Sequence, residues 1–309
     1  MIQSSRIFRV FVSSTFSDLI EERNALQRNV FPRLRALCQE HGCRFQAIDL
    51  RWGVREEAAL DQQTMRICTE EIERCQHTEL KPNFVVLLGD RYGWQPAPYE
   101  IRASLFEEIL EQAKPEERVL LNQWYLCDDN AMPAVYCLQH RTGEYQDYTT
   151  WDTVERQLRA VLESATEGMQ LNDAERLDFF GSATEQEIYY GALNVPDAHE
   201  HVFCFFRIIE GWPHDERGAD FIDITPQKTV DEKAQERLSA LKTRLREKLP
   251  DNIDEYDARW TGTGCTTNHL VQLCDDAYTS LSRTILSEID KLKVLDPVDQ
   301  EVRDHRTFG

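Results

Sequence analysis

Two carboxylates in the second half of the chain have the residue type and spacing for catalysis. Glu185 and Glu187 lie in the segment Ser182–Ile188 (SATEQEI), which predicts the first turn of a helix that opens over the ligand end of the fold. A structural interpretation is also open. Either Ser182 with Glu185 or Thr184 with Glu187 fits a capping box, and the helix dipole favours Glu near a helix N-terminus. The residues alone therefore leave both a catalytic and a capping role open.

Three further polar segments each follow a predicted strand. They are Ser13, Ser14, Thr15 and Asp18 after the first strand, Asp49, Arg51, Trp52 and Gly53 after the second, and Gly89, Asp90, Arg91, Tyr92 and Gly93 after the third. In the second and third segments, charge beside aromatic surface suits a nucleobase or ribose stacked next to a phosphate-binding Arg. A tight turn closed by an Arg–Asp salt bridge explains the same residues equally well.

Short β-branched and aromatic runs predict the strands that position these segments. The runs are Ile7–Ser13 (IFRVFVS), Phe45–Leu50 (FQAIDL), Phe84–Leu88 (FVVLL) and His201–Arg207 (HVFCFFR). Because amphipathic helical patterns alternate with them, we expect an α/β fold with a parallel sheet, right-handed crossovers and helices on both faces. Ligands of such sheets bind outside the carboxyl ends of the strands, so the polar segments should converge on one crevice.

The helix after the first strand has a predicted beginning, bend and end. Asp18 with Glu21 fits a capping box, the apolar spacing continues to Gly42, and Pro32 is expected to kink the helix. A second helix carries Met65, Cys68, Ile72 and Cys75. A third, short helix is predicted over Thr184–Leu193.

Changes of pattern divide the chain into four predicted segments. Residues 1–94 and 181–225 form the α/β domain, and residues 95–180 form a mostly helical insertion with one strand candidate at Ala134–Gln139. Residues 226–309 are expected to be a helical extension and a linker toward an absent NTPase module. Two apolar stripes at helical spacing, over Val230–Leu249 and Leu270–Leu292, predict the helices of that extension.

The acidic balance of the chain argues against a nucleic-acid partner. The chain has 55 Asp and Glu against 35 Lys and Arg, and its net charge of −20 repels a phosphate backbone. We expect neither a membrane span nor secretion, since no long apolar run and no signal-peptide pattern occurs. Nine scattered cysteines without a CxxC pair indicate a reducing, cytoplasmic location and no metal site.

Motifs of several enzyme classes are missing from the sequence. No GxxxxGK[ST] motif occurs, and Gly262-Thr263-Gly264 lacks the remaining glycine and the preceding strand of a dinucleotide fingerprint. Neither GxSxG nor HExxH is present. We therefore expect this chain to have no ATPase activity of its own and to hold no cofactor.

Several of these motifs together resemble the TIR-like N-terminal domain of NACHT and WD-repeat proteins. They are FVSSTFSD at Phe11–Asp18 followed by Glu22-Arg23, DLRWG at Asp49–Gly53, Glu71-Ile72 with Cys75, LGDRYG at Leu88–Gly93, the insertion residues Tyr125, Asp128, Asn130, Pro133, Tyr136, Leu138 and Gln139, and Thr184-Glu185 with Glu187-Ile188. The resemblance implies a TIR-like or flavodoxin-like fold. It also implies a STAND-type immune or signalling ATPase, in which a repeat array senses a trigger, a central NTPase oligomerises and this domain is the effector.

A more distant resemblance concerns Glu187 in particular. Glu187-Ile188 followed by Gly191-Ala192 is similar to the glutamate-bearing helix of nucleoside deoxyribosyltransferases and of TIR NAD-cleaving enzymes. The resemblance implies that Glu187 stabilises or traps the ribosyl centre while nicotinamide leaves. It favours Glu187 over Glu185, since residues two apart on a helix diverge by about 200°. The tryptophan-cysteine pair that precedes this Glu in many TIR domains is absent here.

The sequence thus predicts an effector domain that cleaves NAD, or a related nucleotide, once copies self-associate through the rest of the protein. NAD is expected as the substrate and not as a cofactor. The predicted catalytic residues are Glu187 and Glu185, and the predicted binding residues are Ser13, Ser14, Thr15, Asp49, Arg51, Trp52, Asp90, Arg91 and Tyr92. The alternative is a non-catalytic TIR-like module that oligomerises and recruits other proteins.

Overall fold

The computed structural model describes residues 6–50, 60 and 62–294. The strands in this part of the chain are β1 (Ile7–Ser13), β2 (Arg44–Ile48), β3 (Phe84–Leu88), β4 (Glu100–Arg102), β5 (Tyr125–Asp128), β6 (Val135–Leu138), β7 (Val202–Glu210) and β8 (Ile253–Arg259). The α-helices are α1 (Ile20–Ala25), α2 (Phe31–Glu40), α3 (Thr64–His77), α4 (Ala103–Gln112), α5 (Pro115–Trp124), α6 (Tyr148–Thr166), α7 (Asp173–Phe180), α8 (Ala183–Ile188), α9 (Glu232–Lys248) and α10 (His269–Val294).

These elements form two compact units. The first contains the described residues of 1–52, 68–93 and 187–309, and the second contains those of 53–67 and 94–186. The segment boundaries predicted at residues 94, 180 and 225 stay predictions.

The first unit is built on a five-stranded parallel sheet with the order β2-β1-β3-β7-β8. This is the flavodoxin-like order of a doubly wound sheet. The predicted α/β fold class, a parallel sheet flanked by helices, is therefore confirmed. β1 lies between β2 and β3. Phe8 of β1 is opposite Phe45 on β2, and Phe11 is opposite Phe84 on β3.

Apolar runs explain the central strands of this sheet. All five residues of β3 are buried, and β1 and β7 are buried along most of their length, as expected for parallel strands covered on both faces. β1 and β3 have the predicted bounds. β2 begins and ends slightly earlier than predicted, and β7 continues to Glu210, beyond the predicted end at Arg207.

The fifth strand, β8, lies in the segment that was predicted to contain only helices and a linker. Its sequence, IDEYDAR, alternates charged and apolar residues, and only Tyr256 and Ala258 are buried. β8 is an edge strand with one partner, β7, so it needs no continuous apolar run. The weak apolar pattern is the reason that β8 could not be predicted from the sequence.

The helix after β1 also differs from its prediction. It begins at Ile20 as α1, passes through a π-helical segment at Leu26–Val30 and continues as α2. The predicted capping box is wrong: no side chain caps α1, and Asp18 is buried in an ion pair instead. Pro32 lies in the first turn of α2, directly after the π-helical segment, where its missing N–H is tolerated.

Apolar side chains from α1, α2 and α10 pack on the sheet of the first unit. The buried residues of the long C-terminal helix recur at helical spacing, as Leu273, Ala277, Leu281, Ile285, Ile289 and Leu292. They belong to the same buried hydrophobic cluster as Phe8, Val10 and Leu34. The stripe predicted over Leu270–Leu292 is therefore part of this core.

The second unit contains a three-stranded antiparallel sheet with the order β4-β6-β5. β6 lies within the predicted strand candidate at Ala134–Gln139. β4 and β5 have only three and four residues, which is too short for a recognisable periodicity. The core of this unit is aromatic: the Phe106 ring stacks on Tyr136 at 4.1 Å, and Trp124 meets Trp151 edge to face at 4.9 Å.

We predict that α10 contributes to the stability of the first unit as a core helix. Ile285→Ala removes a fully buried side chain, and we expect a loss of about 2–5 kcal/mol in the free energy of unfolding. Leu286→Ala is the matched control, because its side chain is 37% exposed, and it should change this free energy by less than about 0.5 kcal/mol. Urea denaturation measures both, and equal losses would contradict the packing of α10.

Candidate functional site

The sheet order of the first unit reverses between β1 and β3, which are neighbours. Doubly wound sheets bind ligands in the crevice outside the carboxyl ends of such strands. The segments that leave these two ends are residues 14–19 and 89–93. The candidate site is therefore at this edge, and its residues come mainly from these two segments, from α1 and from Glu187.

Glu187 reaches the carboxyl end of β1. Ser13, the last residue of β1, is fully buried, and its hydroxyl donates a hydrogen bond of 2.6 Å to Oε2 of Glu187 on α8. These residues are 174 positions apart in the chain. The structure thus brings together a predicted catalytic residue and a predicted binding residue.

The surroundings of Glu187 raise the pKa of its carboxyl. Burial raises the pKa of Glu187 to about 7, against the opposing effects of hydrogen bonds from Ser13 and Cys68 and of the Arg23 charge. Asp49 contributes to the rise. A carboxyl with this pKa has both protonation states populated near pH 7, as general acid–base catalysis requires.

Ser14 and Asp49 are joined by a buried guanidinium. Arg23 on α1 donates from Nη1 to Asp49 Oδ1 at 2.8 Å and from Nη2 to the Ser14 carbonyl at 3.0 Å, and its Nε donates to the Ser14 hydroxyl. The Arg23 and Asp49 side chains are 2% and 3% exposed. Arg23 is not among the site residues predicted from the sequence, although Glu22-Arg23 follows the FVSSTFSD motif.

A second buried cluster of charges lies beside the first. Arg207 on β7 contacts Asp18 Oδ2 and Glu22 Oε1, both at 3.3 Å, and Glu22 Oε1 lies 2.9 Å from His269 Nε2 on α10. Thr15 donates a hydrogen bond to the Asp18 carboxylate. Arg207 and His269 could not be predicted as members from the sequence, because neither lies near the other members in the chain.

Burial dominates the ionisation of these carboxyls. Burial raises the pKa of Asp18 to about 6, although Arg207 and the hydrogen bond from Thr15 oppose the rise. Burial also opposes ionisation of Glu22, but the hydrogen bond with His269 and the Arg207 charge together hold the pKa of Glu22 below its usual value. Both carboxyls form ion pairs with Arg207, so their negative charges are compensated within the fold.

Hydrogen bonds to neighbouring segments hold the segment after β3 in place. Asp90 accepts a hydrogen bond of 3.0 Å from the Ile209 N–H, and burial raises the pKa of Asp90 despite the nearby Lys242. The predicted roles of this segment in ligand binding stay predictions.

Arg91 and Tyr92 both contact Asp223. Arg91 Nε lies 3.5 Å from Asp223 Oδ1, its Nη1 donates to Ser17, and the Tyr92 N–H donates to Asp223 Oδ2 at 2.6 Å. The Tyr92 side chain is 1% exposed, so stacking of a ligand on its ring would require this segment to open.

The described part of the first unit does not include three of the predicted site residues. Arg51 and Trp52 lie outside the described residues. Glu185 belongs to the second unit, and its N–H donates to the Ser182 hydroxyl at 3.2 Å, so Ser182 caps α8. Thr184 lies inside α8, which rules out the alternative capping box with Glu187.

The π-helical segment that follows α8 approaches β3 through a glycine. The helix passes into a π-helical segment at Tyr189–Leu193, and a methyl group on Gly191 would overlap the ring of Phe84 on β3. A residue without a side chain therefore lets this helix lie close to the sheet. This approach positions Glu187, which is one turn earlier, against Ser13.

The described residues contain neither a metal-ligand cluster nor a helix that could span a membrane. Within residues 6–50, 60 and 62–294, no three His, Cys, Asp or Glu side chains are grouped as metal ligands would be. In the same part of the chain, no helix combines the length and apolar character that a membrane span requires.

Comparisons with known proteins identify relatives of this chain. The chain is similar to NACHT and WD-repeat proteins. It is 28% identical over 299 residues to the NACHT domain- and WD repeat-containing protein 1 of Mus musculus, covering 92% of this chain and 19% of that protein. It is 30% identical over 270 residues to the NACHT and WD repeat domain-containing protein 2 of Homo sapiens, covering 78% and 15%. The chain therefore spans less than a fifth of these relatives.

Shorter similarities are confined to part of the chain. Residues 9–124 match the model of a domain of unknown function, DUF4062. Over 96 residues, 31% of this chain and 3% of the relative, the chain is 41% identical to the telomerase protein component 1 of Rattus norvegicus. No solved structure matches the chain. The residues matched by the family model include Ser13, Arg23 and Asp49 but not Glu187.

We predict that Gly89, the residue after β3, is required for the buried charge cluster. A Cβ at this position would overlap the Asp18 carboxylate and the Arg207 guanidinium. Gly89→Ala should therefore lower the free energy of unfolding by about 1–3 kcal/mol. Gly264→Ala is the control, since its Cβ would meet only Phe221 at 3.8 Å. Equal urea midpoints for the two variants would contradict this prediction.

We also predict that Ser13 lowers the pKa of Glu187. A hydrogen bond to a carboxylate favours its charged form, so Ser13→Ala should raise the pKa further above about 7. Carbon-13 NMR titration of the Glu187 carboxyl measures this pKa directly. Asp197, whose pKa the hydrogen bond from Lys81 lowers to about 2, serves as an internal control that should not move. A Glu187 pKa that is unchanged or lower in the variant would refute the prediction.

Proposed function

We propose that this chain is the effector domain of a NACHT-type protein and that it cleaves NAD, or a related nucleotide, at the N-glycosidic bond. Glu187 is the catalytic carboxylate in this proposal. The observation that carries it is the position of Glu187. This partly buried carboxyl accepts a hydrogen bond from Ser13 at the end of β1, beside the point where the strand order reverses. The similarity to NACHT and WD-repeat proteins supports the effector role.

The partners of the buried carboxylates single out Glu187. Asp18 and Glu22 pair with Arg207, and Asp49 pairs with Arg23. Glu187 has a hydroxyl and a thiol as its hydrogen-bond partners instead. Its negative charge is therefore compensated less by the fold than the charges of its neighbours, and it is the better group to stabilise positive charge on a ligand.

The proposed reaction uses this charge at the ribosyl carbon. The bond between C1′ and the nicotinamide nitrogen breaks, and its electron pair leaves with nicotinamide, which becomes neutral. Positive charge then develops on the ribose, and the Glu187 carboxylate stabilises it. Water adds its oxygen to C1′ and loses one proton, which gives ADP-ribose. The Ser13 hydrogen bond keeps the carboxylate oriented during these steps.

Self-association is the second part of the proposal. An effector that belongs to a much longer signalling protein should stay weakly active until several copies meet. Tethering raises the local concentration to about the millimolar range, which can drive contacts that dilute monomers do not form. The isolated chain is therefore expected to need artificial clustering for measurable turnover.

We predict that Glu187→Gln strongly slows NAD cleavage by chains clustered on a fused, inducible oligomerisation module. The amide keeps the size of the side chain but removes its charge, so the rate should fall by about 10²–10⁴-fold. Glu185→Gln is the matched control on the same helix and should keep the rate within a few-fold, since Ser182 still caps α8. Chromatography of nicotinamide and ADP-ribose measures turnover.

The pH dependence provides an independent check of this assignment. Because the reaction needs the carboxylate form, and burial raises the pKa of Glu187 to about 7, the rate should rise as pH increases through about 7 and then level off. Full turnover by Glu187→Gln with loss in Glu185→Gln would reverse the assignment. Absence of turnover in every clustered form would favour the non-catalytic module.

A further inference from the structure

Phe16 places an exposed aromatic ring at the edge of the buried polar site. Its side chain is 53% exposed, whereas Ser14, Thr15 and Asp18, which are close to it in sequence, are 4%, 5% and 2% exposed. Phe16 follows the carboxyl end of β1, where the ligand of a doubly wound sheet binds. The proposed reaction at Glu187 assigns this ring no part.

The ring of Phe16 has one covered face. The Arg23 guanidinium carbon lies over it, 5.1 Å from the ring centroid. Arg23 is itself fixed, because it donates to the Asp49 carboxylate and the Ser14 carbonyl. The ring is thus held from one side by a buried, immobilised cation, and its exposed surface remains available to a planar ligand.

We infer that Phe16 is the base-stacking platform of the nucleotide site and that it takes the adenine ring of a dinucleotide. This inference rests on the proposed function. Phe16 is three positions after Ser13, and this stretch of chain spans at most about 11 Å. One dinucleotide whose ribose lies at Glu187 can therefore reach the Phe16 ring with its other end.

The charge of Arg23 selects between the two bases of NAD. The nicotinamide ring of NAD carries a positive charge, and a cation already lies against one face of Phe16. Aromatic faces attract cations through their quadrupole, and the Arg23 charge offsets this attraction for a second cation on the opposite face. Adenine is neutral and stacks without this penalty. Arg91, which is partly exposed and bonds to Ser17 and Asp223, adds a cation beside the same segment.

The test measures nucleotide binding in the Glu187→Gln chain, clustered on the same fused oligomerisation module, where it is expected to bind without turnover. Isothermal titration calorimetry with NAD, ADP-ribose and nicotinamide mononucleotide compares Phe16→Ala, Phe16→Trp and Ile20→Ala in this background. We expect Phe16→Ala to raise the Kd of NAD and of ADP-ribose by about 5- to 150-fold, the contribution of one stacked base. Phe16→Trp should keep the affinity. Ile20→Ala is the control for an exposed apolar residue at 45% exposure and should change nothing.

The outcomes separate this inference from the proposed function. Unchanged NAD affinity in Phe16→Ala would overturn the stacking role and leave the function intact. Weaker binding of nicotinamide mononucleotide with unchanged ADP-ribose affinity would overturn the assignment of adenine. Loss of self-association without loss of nucleotide affinity would make Phe16 a contact between copies instead. A Glu187→Gln chain that binds no nucleotide would refute the function and the inference together.

Discussion

The buried guanidinium of Arg207 is the interaction on which the first unit depends. Its side chain is 1% exposed, and removing a charge from water costs several kcal/mol unless partners compensate it. Asp18, in the segment after β1, and Glu22, on α1, provide this compensation. His269, the first residue of α10, contacts Glu22. One cation therefore ties β7, the β1 segment and the C-terminal helix together at the ligand edge.

This constraint determines which charges of the edge remain for a ligand. Arg207 forms ion pairs with Asp18 and Glu22, and Arg23 forms one with Asp49, so these three charges are compensated inside the fold. Glu187 faces a hydroxyl and a thiol, and burial brings its pKa to about 7. Structural ion pairs and a candidate catalytic carboxyl thus occur side by side, and their partners, more than their residue types, distinguish them.

Much of the first unit could be predicted from the sequence. β1, β3 and β7 are buried apolar runs, so their positions follow from local composition, and the apolar stripe of α10 has a clear helical period. β8 could not be recognised, because an edge strand in contact with one neighbour tolerates charged residues. The capping box at Asp18 failed for a different reason: a motif describes local hydrogen bonding, and here Arg207, 189 residues away, competes for the carboxylate.

The candidate site also has features that follow from the sequence and features that only the tertiary structure sets. The sequence by itself determined that polar residues follow the strands and that two glutamates lie on one short helix, because both are patterns within a few residues. Only the tertiary structure decided that Glu187 meets Ser13 while Glu185 lies in the other unit, and that Arg23 joins Ser14 to Asp49. The physical reason is that hydrogen bonds and burial depend on distances in space, and the sheet order that sets these distances results from packing of the whole chain.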